Sequence, residues 1–242
     1  MTDEPRAWRV VLESIERDLL DGRLRPGDRL PGERALSADL GVGRSSVREA
    51  LRVLEVLGLI RTATGSGPSA GAIIVALPGG GMSALMRLQV AATGFAVADI
   101  VKTRLVLETA VAADLAEAAP KARLKASVAL LDVMESRTLS ADEFLALDAQ
   151  FHLSLAEASG NQVIAATMAG LRSSIESYVR SGASHLPSWS ATSARLMAEH
   201  RDIVTAIESG DTASAKATVH SHIANYYAET NLSTHRSNEL PK

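Results

Sequence analysis

A mainly α-helical protein of two domains is predicted by three features of the 242-residue sequence. Apolar residues make up 46% of the chain while aromatics make up only 3%, a composition of Ala, Leu and Val that suits helix packing better than strands. Apolar residues recur at helical spacing along most of the chain. Strand-prone runs are confined to a short stretch around residues 59–75. The length is sufficient for two domains, each with its own core.

The first helix is expected from Trp8 to Asp21, where Val11, Leu12, Ile15, Leu19 and Leu20 share one side and Gly22 supplies a stop. Pro26-Gly27-Asp28 makes a turn, and a short second helix runs from Glu33 to Asp39 and ends at Gly41. The third runs from Arg44 to Leu57, with Val47, Leu51 and Leu54 on one side and Arg44, Ser45, Arg48 and Arg52 toward the other. Two short helices joined by a glycine turn, the second with an arginine-rich outer face, form the pattern of a helix-turn-helix. Leu59–Thr64 and Ala72–Val75 flank a Gly/Ser/Pro loop and predict a β-hairpin, placed where a winged helix-turn-helix carries its wing.

Residues 1–76 are therefore read as one domain and 77–82, Leu-Pro-Gly-Gly-Gly-Met, as a linker. From 83 to 232 the pattern is helical throughout, with breaks near Gly94, Pro120, Ser140, Ser159-Gly160-Asn161, Gly182–Pro187 and Gly210-Asp211. Six or seven helices in an antiparallel all-α bundle are expected. Residues 233–242 form a polar tail.

The net charge of −3 excludes a broadly basic protein, and through Ala76 eleven arginines are matched by eleven carboxylates. Positive charge is instead concentrated at Arg44, Arg48, Arg52 and Arg61, so any contact with nucleic acid is local. Cysteine is absent, which removes disulfides and thiolate metal sites and leaves His and carboxylate as the strong ligands. The apolar runs are too short for a membrane span and the first nine residues do not resemble a signal peptide, so a soluble cytoplasmic protein is expected.

Gly27-Asp28-Arg29-Leu30-Pro31-Gly32-Glu33-Arg34, Leu40-Gly41-Val42-Gly43-Arg44, Val47-Arg48-Glu49-Ala50-Leu51 and Leu54–Ile60 resemble the winged helix-turn-helix of GntR-family regulators. Arg104 with Glu108, Asp148 with Phe151-His152, Ala158–Asn161, Glu199-His200 and Gly210-Asp211 leading to His222 resemble the FCD domain of the FadR-like branch. The two resemblances cover roughly residues 8–230. Gly32 and Gly43 stand where the family commonly has a serine cap, a small change because glycine is only slightly worse there. The wing loop is longer than usual in the family.

The resemblance implies DNA contacts at Arg34, Arg44, Ser45, Ser46 and Arg48, with Gly65 and Ser66 at the wing tip. Arg44 and Arg48 are four apart, hence neighbours on one helix face, where a guanidinium suits guanine or phosphate. The partner implied is a near-palindromic double-stranded operator bound by a homodimer. Asp148 and His152 share a helix face by spacing alone; the resemblance adds His200 and His222 and implies a divalent metal, zinc foremost, with nickel or manganese as alternatives. It also implies that Arg104 meets a small carboxylate effector beside the metal, where the residues alone also allow a structural ion pair with Glu108. The expected function is a metal- and acid-responsive transcription regulator, a repressor released by its effector, and not an enzyme. The alternatives are a zinc metalloenzyme, for which the sequence offers no convincing general base, and a regulator whose metal is only structural.

Overall fold

The computed structural model describes residues 6–63, 71–76, 79–92, 94–118 and 121–230. Among them are ten α-helices, one short 3-10 turn and one two-stranded hairpin, the mainly α architecture expected from the sequence. The chain divides into two compact units, Met1–Met82 and Ser83–Lys242, each with a separate apolar core.

In the first unit α1 spans Ala7–Leu20, α2 Glu33–Leu40 and α3 Arg44–Val56. Val11 and Ile15 of α1, Leu36 of α2, and Val47, Ala50 and Leu54 of α3 are buried together. Those positions follow the period of 3.6, which leaves Arg44, Arg48 and Arg52 of α3 exposed. Gly41 takes φ +65° after α2, a left-handed conformation that glycine adopts without a Cβ clash. Ser37 Oγ donates to the carbonyl of Val42 at 2.6 Å and fixes the turn between α2 and α3.

The hairpin follows α3 directly: β1, Ile60–Ala63, pairs antiparallel with β2, Gly71–Ile74, in the register Ile60↔Ile74 to Ala63↔Gly71. Ile60, Ala72 and Ile74 face the core, and Glu55 of α3 accepts hydrogen bonds from the Thr62 amide and hydroxyl. The other edge of β2 is covered by the segment before α2, where Leu30 N–H donates to Ala72 O and Ile74 N–H to Asp28 O.

The run read as a linker differs from expectation. Gly79, Gly80 and Gly81 form the first turn of α4, Gly79–Ala91. Gly81 lies against the Leu57 backbone, where a Cβ would come within 2.7 Å of the Leu57 Cα. The glycine here permits a close approach rather than a flexible connection.

The second unit contains most of α4 and then α5 Val97–Ala118, α6 Lys125–Glu135, α7 Ala141–Ala158, α8 Gln162–Ala183, α9 Trp189–Glu208 and α10 Thr212–Glu229. Helix α5 packs against α7, α8, α9 and α10, which explains why Ile100, Val101, Val111, Ala112, Leu115 and Ala116 bury more than one of its faces. The helix starts are capped by short polar side chains. Ser140 and Glu143 make a reciprocal capping box at α7, while Asn161, Ser188 and Asp211 accept amide hydrogens at α8, α9 and α10. Gly160 and Gly210 take positive φ in the turns before α8 and α10, so α7–α8 and α9–α10 run as antiparallel pairs.

Candidate functional sites

Arg34, Arg44, Ser45 and Arg48 are exposed in the first unit and Ser46 is half-buried. Arg44 and Ser45 open α3, where unpaired amide groups add a positive field. Arg48 is not free: its Nε donates to Glu33 Oε2 of α2 at 2.7 Å, with both side chains largely exposed. Gly65 and Ser66 lie outside the described residues.

In the second unit Asp148 and His152 of α7, His200 of α9 and His222 of α10 each turn one ligand atom toward a common point, all within 4.8 Å of one another. The Nε2 atoms of His152 and His222 are 3.1 Å apart. Asp148 Oδ1 lies 3.0 Å from His200 Nε2, 3.7 Å from His152 Nε2 and 3.9 Å from His222 Nε2. Ligand atoms bonded at about 2.05 Å to one ion stand about 2.9 Å apart at right angles and about 4.1 Å apart when opposed, and the four separations from 3.0 to 3.9 Å fall in that range.

The surroundings prepare the donors. His152 Nδ1 donates to Glu108 Oε2 at 2.5 Å, and His222 Nδ1 donates to Glu199 Oε2 at 2.8 Å. Each glutamate fixes its ring and leaves the Nε2 lone pair facing inward, as carboxylates behind metal-bound histidines do. Burial first and Arg172 second push the His152 imidazolium down to about 3, against the opposing pull of Glu108 and Asp148. Burial also lowers His200. Asp148 stays ionised: burial opposes its charge, but His152, His200 and Arg172 hold it well below the usual carboxylate range.

His200 carries the clearest sign of a missing partner. Its side chain is completely buried, yet neither ring nitrogen makes a hydrogen bond within the described residues. Nε2 is close to Asp148 Oδ1 without hydrogen-bond alignment. A buried polar atom with no partner is costly, and a cation between Nε2 and the carboxylate would remove that cost. The residues present therefore fit a divalent metal.

Arg104 of α5 is also buried at 4% exposure, but its guanidinium is engaged by Glu108 at 2.7 Å and by the Tyr227 hydroxyl. Arg172 of α8 was not among the residues the sequence singled out. Its side chain is 9% exposed, Nη1 sits 3.3 Å from Asp148 Oδ2, and Nε, 3.9 Å from Glu108 Oε1, makes no hydrogen bond among the described residues. Burial lowers its basicity, and neighbouring Arg104 adds to that effect. The signal in the sequence was a lone charge on the buried side of α8, among Met168, Leu171 and Ile175, where a cation requires a partner. Arg104, Asp148, His152, Arg172, His222 and Tyr227 contribute to the wall of one cavity of about 340 Å³.

A family model described as "FCD domain" matches residues 99–225, and one described as "Bacterial regulatory proteins, gntR family" matches residues 9–68. The chain belongs to the GntR family. Among GntR-family relatives it is similar to the HTH-type transcriptional regulator LutR of Bacillus subtilis, at 30% identity over 85% of this chain and 92% of that protein. It is 33% identical to the Glc operon transcriptional activator of Escherichia coli K12, over 71% and 68% of the two chains. It is 32% identical to the HTH-type transcriptional repressor NanR of Cronobacter sakazakii, over 65% and 60%. The fold is similar to that of Streptococcus agalactiae GntR, with a TM-score of 0.65, 24% identity, and coverage of 90% and 97%.

The protein is thus a DNA-binding transcription regulator with an FCD domain, and its relatives are regulators rather than enzymes. Membership accounts for the first unit, which a metalloenzyme would leave unexplained. Among the described residues no helix is long and apolar enough to cross a membrane.

Proposed function

We propose that this GntR-family regulator senses an organic acid through a divalent metal held by Asp148, His152, His200 and His222, and that the acid governs binding to an operator. The supporting observation is a pair of unmet demands around Asp148: His200 nitrogens without a hydrogen-bond partner among the described residues, and Arg172 Nε likewise in the wall of the adjoining cavity. Zinc suits three imidazoles and one carboxylate; nickel and manganese are the competing ions. When bound, the ion supplies a positive centre for a ligand oxygen, and Arg172 supplies charge-assisted N–H donors to the same carboxylate. Arg104 contributes less directly, since Glu108 and Tyr227 already occupy it.

Residues 1–76 read DNA and residues 83–232 sense and dimerise in this account, in the cytoplasm. Arg34, Arg44, Ser45, Ser46 and Arg48 contact the operator, with Gly65 and Ser66 at the wing. A homodimer presents two copies of α3 to a near-palindromic site. The acid favours a dimer geometry that fits the operator less well and so releases repression. Of the relatives, one is named a repressor and one an activator; release of a repressor is the sign proposed.

The test is capture of genomic fragments by the full-length protein, followed by fluorescence anisotropy on the recovered duplex with zinc and a panel of carboxylic acids. Acid-dependent release from a two-fold site, lost after chelation, is expected. Release unaffected by chelation would contradict the sensing role of the metal.

A further inference from the structure

The cavity lined at one end by Asp148, His152 and His222 is larger than a two- or three-carbon acid requires, and its wall changes character along its length. One water takes roughly 10–15 Å³ of such volume, so a three-carbon acid of six heavy atoms would fill only about a quarter of the 340 Å³. A cavity of this size falls at the lower end of those that hold ligands of drug size, about 300–1,000 Å³.

The level of the charged floor is marked by Arg172 beside Asp148. From there the wall continues along α8 through Ile175 to Val179, seven residues or about 10 Å along the helix. The Tyr226 hydroxyl donates to Val179 O at 3.2 Å, so α10 climbs to the same level one turn beyond His222. Leu145 and Ile223 add apolar surface to the same wall. At the rim Arg180 donates to Glu176 at 2.8 Å and lies 3.9 Å from Asp142. Its charge is met at the rim; Arg172 at the floor pairs with Asp148 and lies 3.9 Å from Glu108, but its Nε makes no hydrogen bond among the described residues.

We infer that the effector is a monocarboxylate carrying an unbranched or lightly substituted apolar chain, with its head at Arg172 and its chain against Ile175, Val179 and Tyr226. The inference rests on the proposed sensing reading and extends it from "an acid" to a chain-length class. A second carboxylate would have to lie against apolar wall, or compete with Glu176 and Asp142 for Arg180. Short hydroxy acids satisfy the floor and leave the upper compartment unfilled.

The experiment is calorimetric titration of the zinc-loaded full-length protein with lactate, butyrate, hexanoate, octanoate and the dicarboxylate suberate. Affinity is expected to rise about fourfold per methylene from butyrate to octanoate, the equivalent of about 0.8 kcal/mol for each buried CH₂. The heat-capacity change should grow more negative along the series, and suberate should bind at least tenfold more weakly than octanoate. Val179→Asp should lower the octanoate-to-lactate affinity ratio at least tenfold, and Ala146→Phe, which narrows the cavity, should shorten the preferred chain. Should Val179→Asp fail to fold, the acid series and Ala146→Phe still decide. Lactate binding as tightly as octanoate would overturn the chain-length inference and leave the sensing role intact. Binding of no acid at any length would overturn both.

Discussion

His152 and His222 face one another across 3.1 Å through their Nε2 atoms, while each ring donates its Nδ1 proton to a different glutamate. Two neutral imidazoles so oriented bring lone pair against lone pair, an arrangement that becomes favourable only when a cation or a shared proton lies between them. The two glutamates come from α5 and α9, so three helices besides α7 cooperate to present the rings. The fold thereby holds both rings in the orientation that the proposed metal requires.

That support can be weakened without touching a ligand. Glu199→Gln keeps an acceptor for His222 Nδ1 but removes the negative charge behind it. Zinc affinity is expected to fall about 10–100-fold, measured by competition with a chromogenic chelator, with far-UV circular dichroism unchanged. An unchanged affinity would show that Glu199 serves only the ion pairs it makes with Arg195.

Chelation separates a sensing metal from a structural one. At a free zinc concentration 100 times its dissociation constant, bound metal stabilises the protein by about 2.7 kcal/mol. Removing it should lower the melting temperature by several degrees while the helical spectrum persists at 25 °C. Loss of the helical spectrum on chelation would favour a structural ion.

Arg172→Gln should abolish the response to acids while leaving zinc bound. Truncating one side of a buried, hydrogen-bonded charge pair costs about 2–5 kcal/mol, so acid affinity should fall at least about 30-fold. The comparison variant is Arg104→Gln. Because Glu108 would then lose its main cation, its larger effect should be on stability.

On the DNA side Arg44→Ala should reduce operator affinity by about 1–3 kcal/mol if the guanidinium reads a base, and should relax specificity at one position. Glu33→Ala has the opposite sense. It frees Arg48 from the contact at 2.7 Å, and the salt dependence of binding should steepen by about one phosphate contact. A slope that does not change would place Arg48 outside the interface.

The capping box of α7 gives a stability test with a pH signature. Ser140→Ala removes the acceptor for the Glu143 amide and should cost about 1 kcal/mol, read from the urea midpoint. The Ser140 side chain and backbone also hold the Glu143 carboxyl below its usual range. A depressed carboxyl stabilises the fold above its unfolded value, and that stability is lost as pH falls through the folded value. The difference between wild type and Ser140→Ala should therefore narrow at acid pH.

Much of this was legible in the sequence for definite physical reasons. The helical spacing of Val47, Leu51 and Leu54 located α3, although Ala50 rather than Leu51 is fully buried there, and strand-prone runs around a glycine-rich loop located the hairpin. Asp148 and His152 announced themselves by spacing four on one helix. His200 and His222 lie on separate helices, and no local pattern joins them; they were reachable only through family resemblance. Arg172 was missed because its meaning depends on α8 lying antiparallel to α7, which sets it beside Asp148. The Gly79–Gly81 run was misread because glycine suits both a flexible connection and a close approach, and only the Leu57 backbone distinguishes them.

Whether Asp148, His152, His200 and His222 together hold a divalent metal is decided by anomalous diffraction across the zinc, nickel and manganese absorption edges, on crystals grown without chelator. One peak bonded to Asp148 Oδ1 and the three imidazoles at about 2.0–2.2 Å is the expected result. Absence of a peak after incubation with each metal, with His200 hydrogen-bonded to Asp148 or water instead, would contradict it.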